Sequence, residues 1–111
     1  MRAFKGVRVI DFSRVLSGPV ATQMLGLLDA DVIKIEPPGD GDQLRGVLTD
    51  PEMAAKRMSP AFLTVNLNKR SIALDLKSDA GRAAALKPCK LPVEVNVTSL
   101  PCRRNGHPCH F

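Results

Sequence analysis

Three short segments carry residues that could bind an anionic ligand, and each lies at the end of a run of residues that predicts a strand. The first, residues 13–18, contains Arg14 and ends in Ser17 and Gly18. Such a segment can offer backbone N–H donors at a helix N-terminus, a guanidinium charge, and a glycine that lets a phosphate approach closely. These groups bind phosphorylated ligands, although the segment matches neither a dinucleotide-binding nor a Walker motif. A loop that only connects two elements is the alternative.

The second segment follows the predicted strand at 31–35, and the third lies at the end of the predicted strand at 71–76. Residues 36–39 read Glu-Pro-Pro-Gly, and residues 74–77 read Leu-Asp-Leu-Lys. Lys77 lies within nine residues of Lys69 and Arg70, and three such cations are what a ribose phosphate needs. A solvated basic turn on the surface is the alternative for these cations.

Acidic residues suggest two further kinds of chemistry, a metal site and a nucleophile. The acids Glu36, Asp40 and Asp42 are close in sequence, but hard cations need several converging oxygens and no recognisable ligand register is present. Asp11 and Asp75 occupy strand positions, and we interpret both as structural or capping acids. The pattern therefore predicts no metal site and identifies no catalytic residue.

The elements that must position these segments alternate between strand and helix. Residues 7–12 and 31–35 are rich in β-branched side chains and predict strands, with a helix between them from Pro19 to about Asp29. The remaining predicted elements are a short helix at 52–58, strands at 61–65 and 71–76, a polar turn at 66–70, and a helix from Asp79, capped by Ser78, that Pro88 ends. This order predicts an α/β fold, a partial parallel sheet that brings the three segments to one edge.

Composition narrows the class of ligand. The 111 residues carry a net charge of +5 and a pI near 9.5, which favours an anionic partner. The chain has no Trp or Tyr and its basic residues are scattered, so we expect a small anionic cofactor and no nucleic-acid partner. No apolar run is long enough for a membrane span and the N-terminus lacks a secretory pattern. We expect a cytoplasmic protein that does not bind membranes.

The composition changes abruptly after Lys87. Residues 1–87 contain no Cys or His, whereas residues 88–111 contain all three Cys, both His and four of the nine prolines. We therefore predict a domain at 1–87 followed by an atypical tail at 88–111, in which alternating valines from Val93 to Val97 predict one strand.

Zinc binding and disulfide bonding are two interpretations of the tail that its sequence does not favour. The spacing of the four candidate zinc ligands lacks the paired pattern that surrounds a tetrahedral ion. Three cysteines without a secretory leader likewise do not favour disulfides. The candidate zinc ligands are Cys102, His107, Cys109 and His110, and the three cysteines are Cys89, Cys102 and Cys109.

Four sequence blocks occur in a fixed order, and together they resemble class III CoA-transferases. The blocks are GVRVIDFSRVLSGP at 6–19, ADVIKIEPPG at 30–39, GD followed by RG within 41–46, and NKRSIALDLK at 68–77. The resemblance covers about residues 4–87. The family includes formyl-CoA:oxalate CoA-transferase, carnitine CoA-transferase and α-methylacyl-CoA racemase.

The resemblance implies a Rossmann-like domain that binds CoA, within a longer chain that forms an interlocked homodimer. It implies that the first segment lies along the thioester arm, the second beside the nucleotide and the third around the adenosine. The residues so implied are Arg14, Val15, Leu16 and Ser17, then Pro37, then Leu74, Asp75, Leu76 and Lys77. Formyl-CoA transferase has His and Gln at the positions of Arg14 and Leu16, and Arg at that of Pro37, so formyl-CoA and oxalate specificity is not implied.

The family reaction is CoA transfer between an acyl-CoA and a carboxylic acid, and its nucleophile is an aspartate well beyond position 111. The resemblance therefore implies that this chain is inactive alone. An acyl-CoA racemase and a non-catalytic CoA-binding or dimerisation module are the alternatives. For the tail we expect a shifted reading frame or a truncated transcript, which DNA sequence past the codon for Lys87 would test.

Overall fold

Strands and helices alternate along most of the chain. The computed structural model describes residues 2–47, 50–87, 94–97, 103–104 and 107–108. The elements are β1 (Arg8–Asp11), α1 (Ser17–Leu27), β2 (Asp31–Glu36), a 3-10 turn (Gln43–Gly46), α2 (Pro51–Ala55), α3 (Pro60–Val65), β3 (Lys69–Ala73), α4 (Asp79–Leu86), β4 (Glu94–Val97), β5 (Arg103–Arg104) and β6 (His107–Pro108). The α/β prediction is confirmed.

Four strands form one parallel sheet in the order β3-β2-β1-β4, and β5 pairs with β6 in a separate antiparallel ribbon. Ile10 of β1 lies opposite Ile33 of β2, and Ile35 of β2 lies opposite Ile72 of β3. The central strand β1 is buried, with Val9 fully inaccessible, as expected where a parallel sheet is covered on both faces. The ends of β1, β2 and β3 therefore meet at one edge.

The segment at 61–65, predicted as a strand, is instead the helix α3. The hydroxyl of Ser59 accepts a hydrogen bond of 3.0 Å from the N–H of Phe62, and Pro60 occupies the first helical position. Both features start helices, and Phe62 and Val65, three residues apart, bury one helical face. The strand prediction was wrong because the start signals outweighed a short apolar run.

Strand β3 begins two residues earlier than predicted and ends at Ala73. Asn68, with φ of 59°, makes the preceding turn in the left-handed region that Asn tolerates. Lys69 and Arg70 therefore belong to β3, not to the predicted turn, and residues 74–77 follow the strand. The N–H of Leu74 still donates to the Glu36 carbonyl over 2.9 Å, which keeps the third segment beside the second.

The other predicted helices are present, with small differences in length. Helix α4 begins at Asp79, and the Ser78 hydroxyl accepts from the Gly81 N–H over 3.0 Å, which confirms the predicted cap. Helix α2 spans only Pro51–Ala55 and is capped by Asp50. Within the described ranges, no helix is long and apolar enough to cross a bilayer.

Part of the predicted tail joins the main sheet. The predicted strand is confirmed for residues 94–97, which pair in parallel with β1, whereas Val93 lies outside the described residues. Cys89, Cys102, Cys109 and His110 also lie outside them, so the zinc and disulfide interpretations are not addressed. The division of the chain after Lys87 stays a prediction.

Candidate functional site

The three polar segments line one cleft at the carboxyl edge of the sheet. The cleft has a volume of about 110 Å³. Its lining residues are Phe12, Arg14, Ile35, Glu36, Pro37, Pro38, Leu74, Asp75, Leu76 and Lys77. The predicted convergence of the segments is thus confirmed for Arg14, Pro37 and residues 74–77.

Only Arg14 of the first segment belongs to this lining, so three residues predicted to bind the ligand, Val15, Leu16 and Ser17, lie outside it. Val15 and Leu16 are 39% and 56% exposed, and Ser17 begins helix α1. They follow directly after Arg14 in the chain. A ligand-binding role for them stays a prediction.

Two cations face the cleft without a carboxylate partner. Within the described part of the chain, the side chains of Arg14 and Lys77 are both exposed and neither forms an ion pair or side-chain hydrogen bond. By contrast, the buried side chains of Lys34 and Lys69 each pair with an aspartate. An anionic ligand could therefore bind Arg14 and Lys77 without displacing a protein carboxylate.

The first segment starts from a buried aspartate at the end of β1. Asp11 accepts hydrogen bonds from the Ser13 N–H at 2.9 Å and from the Ser13 hydroxyl, and from the Thr22 hydroxyl at 2.7 Å. The ammonium of Lys69 lies 3.1 Å away. Burial alone would raise the pKa of Asp11, but these hydrogen bonds and the Lys69 charge hold it below its usual value. Asp11 is a structural acid, as its strand position predicts.

A second buried pair contacts the same segment. The Lys34 ammonium donates to the Ser13 carbonyl over 2.8 Å and forms an ion pair of 2.8 Å with Asp42. Asp42 also accepts from the N–H groups of Leu44, at 3.0 Å, and Val15, at 3.4 Å. Sequence reasoning missed Lys34, and the available signal was a lysine inside the otherwise apolar run VIKI.

The second segment is fixed by a buried glutamate. Glu36 binds Arg45 through both carboxylate oxygens, at 2.6 and 2.7 Å, and also accepts from the Ser71 hydroxyl. Burial would raise the pKa of Glu36, but these donors lower it to about 2. The Arg45 guanidinium in turn lies 3.8 Å from the centre of the Phe62 ring, which ties α3 to this segment.

The three acids considered as a metal site each pair with a different cation. Asp40 pairs with Arg57 at 2.9 Å, while Glu36 and Asp42 pair with Arg45 and Lys34. Their carboxylates therefore neutralise neighbouring side chains.

The three-cation cluster of Lys69, Arg70 and Lys77 does not form. The side chain of Lys69 is only 2% exposed and donates to Asp11 and the Pro19 carbonyl. Burial lowers the pKa of Lys69, although Asp11 opposes that effect. Arg70 binds Asp31 at the start of β2, at the opposite end of the strands. Lys69 and Arg70 are adjacent in β3, so their side chains point to opposite faces of the sheet. Of the three cations, Lys77 is the one that lines the cleft.

Gly18 does not leave room for a phosphate. A Cβ atom at Gly18 would lie 2.2 Å from the Ser13 Cβ, so the missing side chain lets α1 pack against the first segment. Gly81 has a similar role at the third segment, where a Cβ would lie 1.9 Å from the Asp75 carbonyl oxygen. Both glycines shape the cleft through packing.

The family of the chain follows from its similarity to known proteins. The family model for CoA-transferase family III matches residues 4–89. The chain belongs to CoA-transferase family III. This confirms the resemblance found in the four sequence blocks.

Among curated relatives, the formyl-CoA:oxalate CoA-transferase of Afipia carboxidovorans is 47% identical over 96 residues, covering 84% of this chain and 22% of the relative. The enzyme of the same name from Rhodopseudomonas palustris has the same identity and coverage. The chain thus spans about a fifth of the length of the curated relatives it matches.

Solved structures also resemble the chain. A hypothetical protein of Mycobacterium tuberculosis aligns with a TM-score of 0.75 and 31% identity, over 91% of this chain and 26% of its own. A CAIB/BAIF family protein of Brucella suis aligns with a TM-score of 0.59 and 38% identity, over 71% of this chain and 21% of its own. These similarities support the α/β assignment.

Proposed function

We propose that the three-segment cleft binds coenzyme A, in the form of an acyl-CoA. The observation that carries this proposal is the pair of cations, Arg14 and Lys77, that line the cleft without a carboxylate partner in the described part of the chain. CoA carries a pyrophosphate and a ribose phosphate, and guanidinium and ammonium groups are the usual side-chain ligands of phosphates. Family membership supports CoA over other anions.

The size of the cleft suggests how CoA is divided between cleft and surface. At about 110 Å³ it is smaller than the roughly 300–1,000 Å³ of a site that encloses a drug-sized ligand. We infer that it holds one end of CoA, with Leu74 and Leu76 against the adenosine and Pro37 beside the nucleotide. The thioester arm then runs over Val15, Leu16 and Ser17, with Asp75 at the rim of the cleft.

We propose CoA transfer between an acyl-CoA and a carboxylic acid, in the cytoplasm, by an interlocked homodimer with a Rossmann-like domain. Asp11 is buried and already binds Ser13, Thr22 and Lys69. Asp75 is exposed and accepts a hydrogen bond of 3.0 Å from the Lys77 N–H. We assign neither as the nucleophile, and we propose that the 111-residue chain binds CoA without catalysing transfer.

Isothermal titration of the full chain with CoA tests this proposal. The double substitution Arg14→Met/Lys77→Met should weaken CoA binding tenfold or more, because it removes both unpaired cations of the cleft. Lys5→Met is the matched control, since Lys5 precedes β1 at the opposite end of the strands. Absence of CoA binding by the wild-type chain, or equal affinity in the double variant, would refute the proposal. Turnover by the chain alone would refute the assignment of no nucleophile.

A further inference from the structure

We infer that the buried pair Lys34 and Asp42 are positioning residues that fix the backbone of the first cleft segment for CoA. This inference rests on the proposed function. Neither side chain lines the cleft, and their side chains are 1% and 0% exposed, so they act through residues 13–15.

Buried charged groups bind the backbone of Ser13 at both its N–H and its carbonyl. Its N–H donates to Asp11 of β1 over 2.9 Å, and its carbonyl accepts from Lys34 of β2 over 2.8 Å. Asp42 extends this support by accepting from the Val15 N–H over 3.4 Å. Arg14 lies between the two supported residues, so the path of its backbone is set by the pair.

The backbone at Val15 needs such support. Val15 has φ of 69°, in the left-handed region where a β-branched residue is strained. A conformation of this kind persists only where surrounding contacts impose it. Asp42 supplies a contact at the strained residue itself, and Lys34 supplies one at the carbonyl two residues earlier.

Asp42 also links the first segment to the second, because its side chain binds the Val15 N–H and its main-chain N–H binds Glu36. The Asp42 N–H donates to the Glu36 carboxylate over 2.8 Å, and Glu36 and Pro37 line the cleft. Stability alone does not account for the pair, because burying two charges has a desolvation cost that apolar side chains avoid. Fixing two cleft walls relative to each other does account for it.

The test compares Lys34→Met/Asp42→Asn with wild type in the full chain. The new side chains keep approximately the original volumes without charge, and the introduced amide oxygen can still accept from the Leu44 N–H. We therefore expect the variant to unfold near the wild-type urea concentration. The Ser13 carbonyl loses its donor, so the Val15 amide, which donates to residue 42, should exchange with solvent at least tenfold faster. The Kd for CoA should rise about tenfold.

The control is Asp31→Asn, which alters the ion pairs with Arg8 and Arg70 at the opposite end of the strands and should change neither readout. Unchanged amide exchange and unchanged CoA affinity in the folded double variant would overturn the inference. If that variant does not fold, Asp42→Ala gives the test, because it removes the oxygen that accepts from the Val15 N–H while Lys34 still donates to the Ser13 carbonyl. Faster Val15 exchange then supports the positioning role and unchanged exchange overturns it.

Amide exchange is measured without CoA, so it separates this inference from the proposed function. If wild type does not bind CoA, the proposed function fails. The exchange rate of the Val15 amide then still decides whether the pair holds the segment.

Discussion

The Glu36 carboxylate binds Arg45, Ser71 and the Asp42 N–H beside the cleft, so the stability of the folded chain should depend on pH. Its side chain is 4% exposed and has a pKa of about 2 in the folded chain, against 4.5 for the free side chain. Because the folded pKa is the lower one, the stabilisation is complete above about pH 4.5 and is lost as the pH falls towards 2. The shift corresponds to about 3 kcal/mol of unfolding free energy. Urea denaturation between pH 6 and pH 2.5 measures it.

Glu36→Gln is the control for this pH dependence. The carboxylates of Asp11 and Asp31 also have lowered pKa values, so their protonation destabilises the wild-type chain over part of the same range. They remain in the variant, and the difference between wild type and Glu36→Gln isolates Glu36. We expect that difference to shrink on acidification. A constant difference would contradict the account of Glu36.

Gly18 gives a second prediction for a single residue. Gly18→Ala places a Cβ 2.2 Å from the Ser13 Cβ, so α1 and the first segment must move apart. We expect a loss of about 1–3 kcal/mol of unfolding free energy. Gly46→Ala is the matched control, because among the described residues no atom beyond its chain neighbours lies within 4 Å of the added Cβ, so the stability should change little. Equal stabilities for both variants, measured by urea denaturation, would show that the tight packing is unimportant.

Helix α3 depends on a cap whose side chain has two roles. The buried Ser59 hydroxyl accepts from the Phe62 N–H and donates to the Leu44 carbonyl. Ser59→Ala should therefore cost about 1–2 kcal/mol, which urea denaturation measures. Thr64→Ala, on the exposed side of the same helix, should cost less. A larger loss for Thr64→Ala would contradict the role given to the cap.

The elements differ in how far their sequences predict them. β1 and β2 were predictable because β-branched runs end at recognisable loops, and α4 because Ser78 and Pro88 bracket it. α3 was misassigned because six residues give too little periodicity to separate helix from strand.

The candidate site, too, could be predicted from the sequence only in part. The meeting of its three segments follows from parallel strand order. The partners of Lys34, Lys69 and Glu36 depend on contacts between residues 8 to 58 positions apart. No local sequence pattern specifies such contacts.

Helix α1 and the residue before it present an apolar surface. Leu16 before the helix, and Met24 and Leu27 within it, are 56%, 52% and 54% exposed, and the helix contains no charged residue. Exposed apolar stripes of this kind promote association. We therefore expect the chain to self-associate, and Met24→Lys/Leu27→Lys to increase the monomer fraction in sedimentation velocity. A wild-type chain that stays monomeric at high concentration would contradict this expectation.

The central claim is that three segments of one parallel sheet together bind CoA. Titration of the isotope-labelled full chain with CoA, followed through backbone amide chemical shifts, tests it most directly. We predict saturable shifts at Arg14, Val15, Leu16 and Ser17 and at residues 74–77, and little change at the opposite end of the strands around Asp31. Shifts that do not saturate, or that avoid these segments, would contradict the claim.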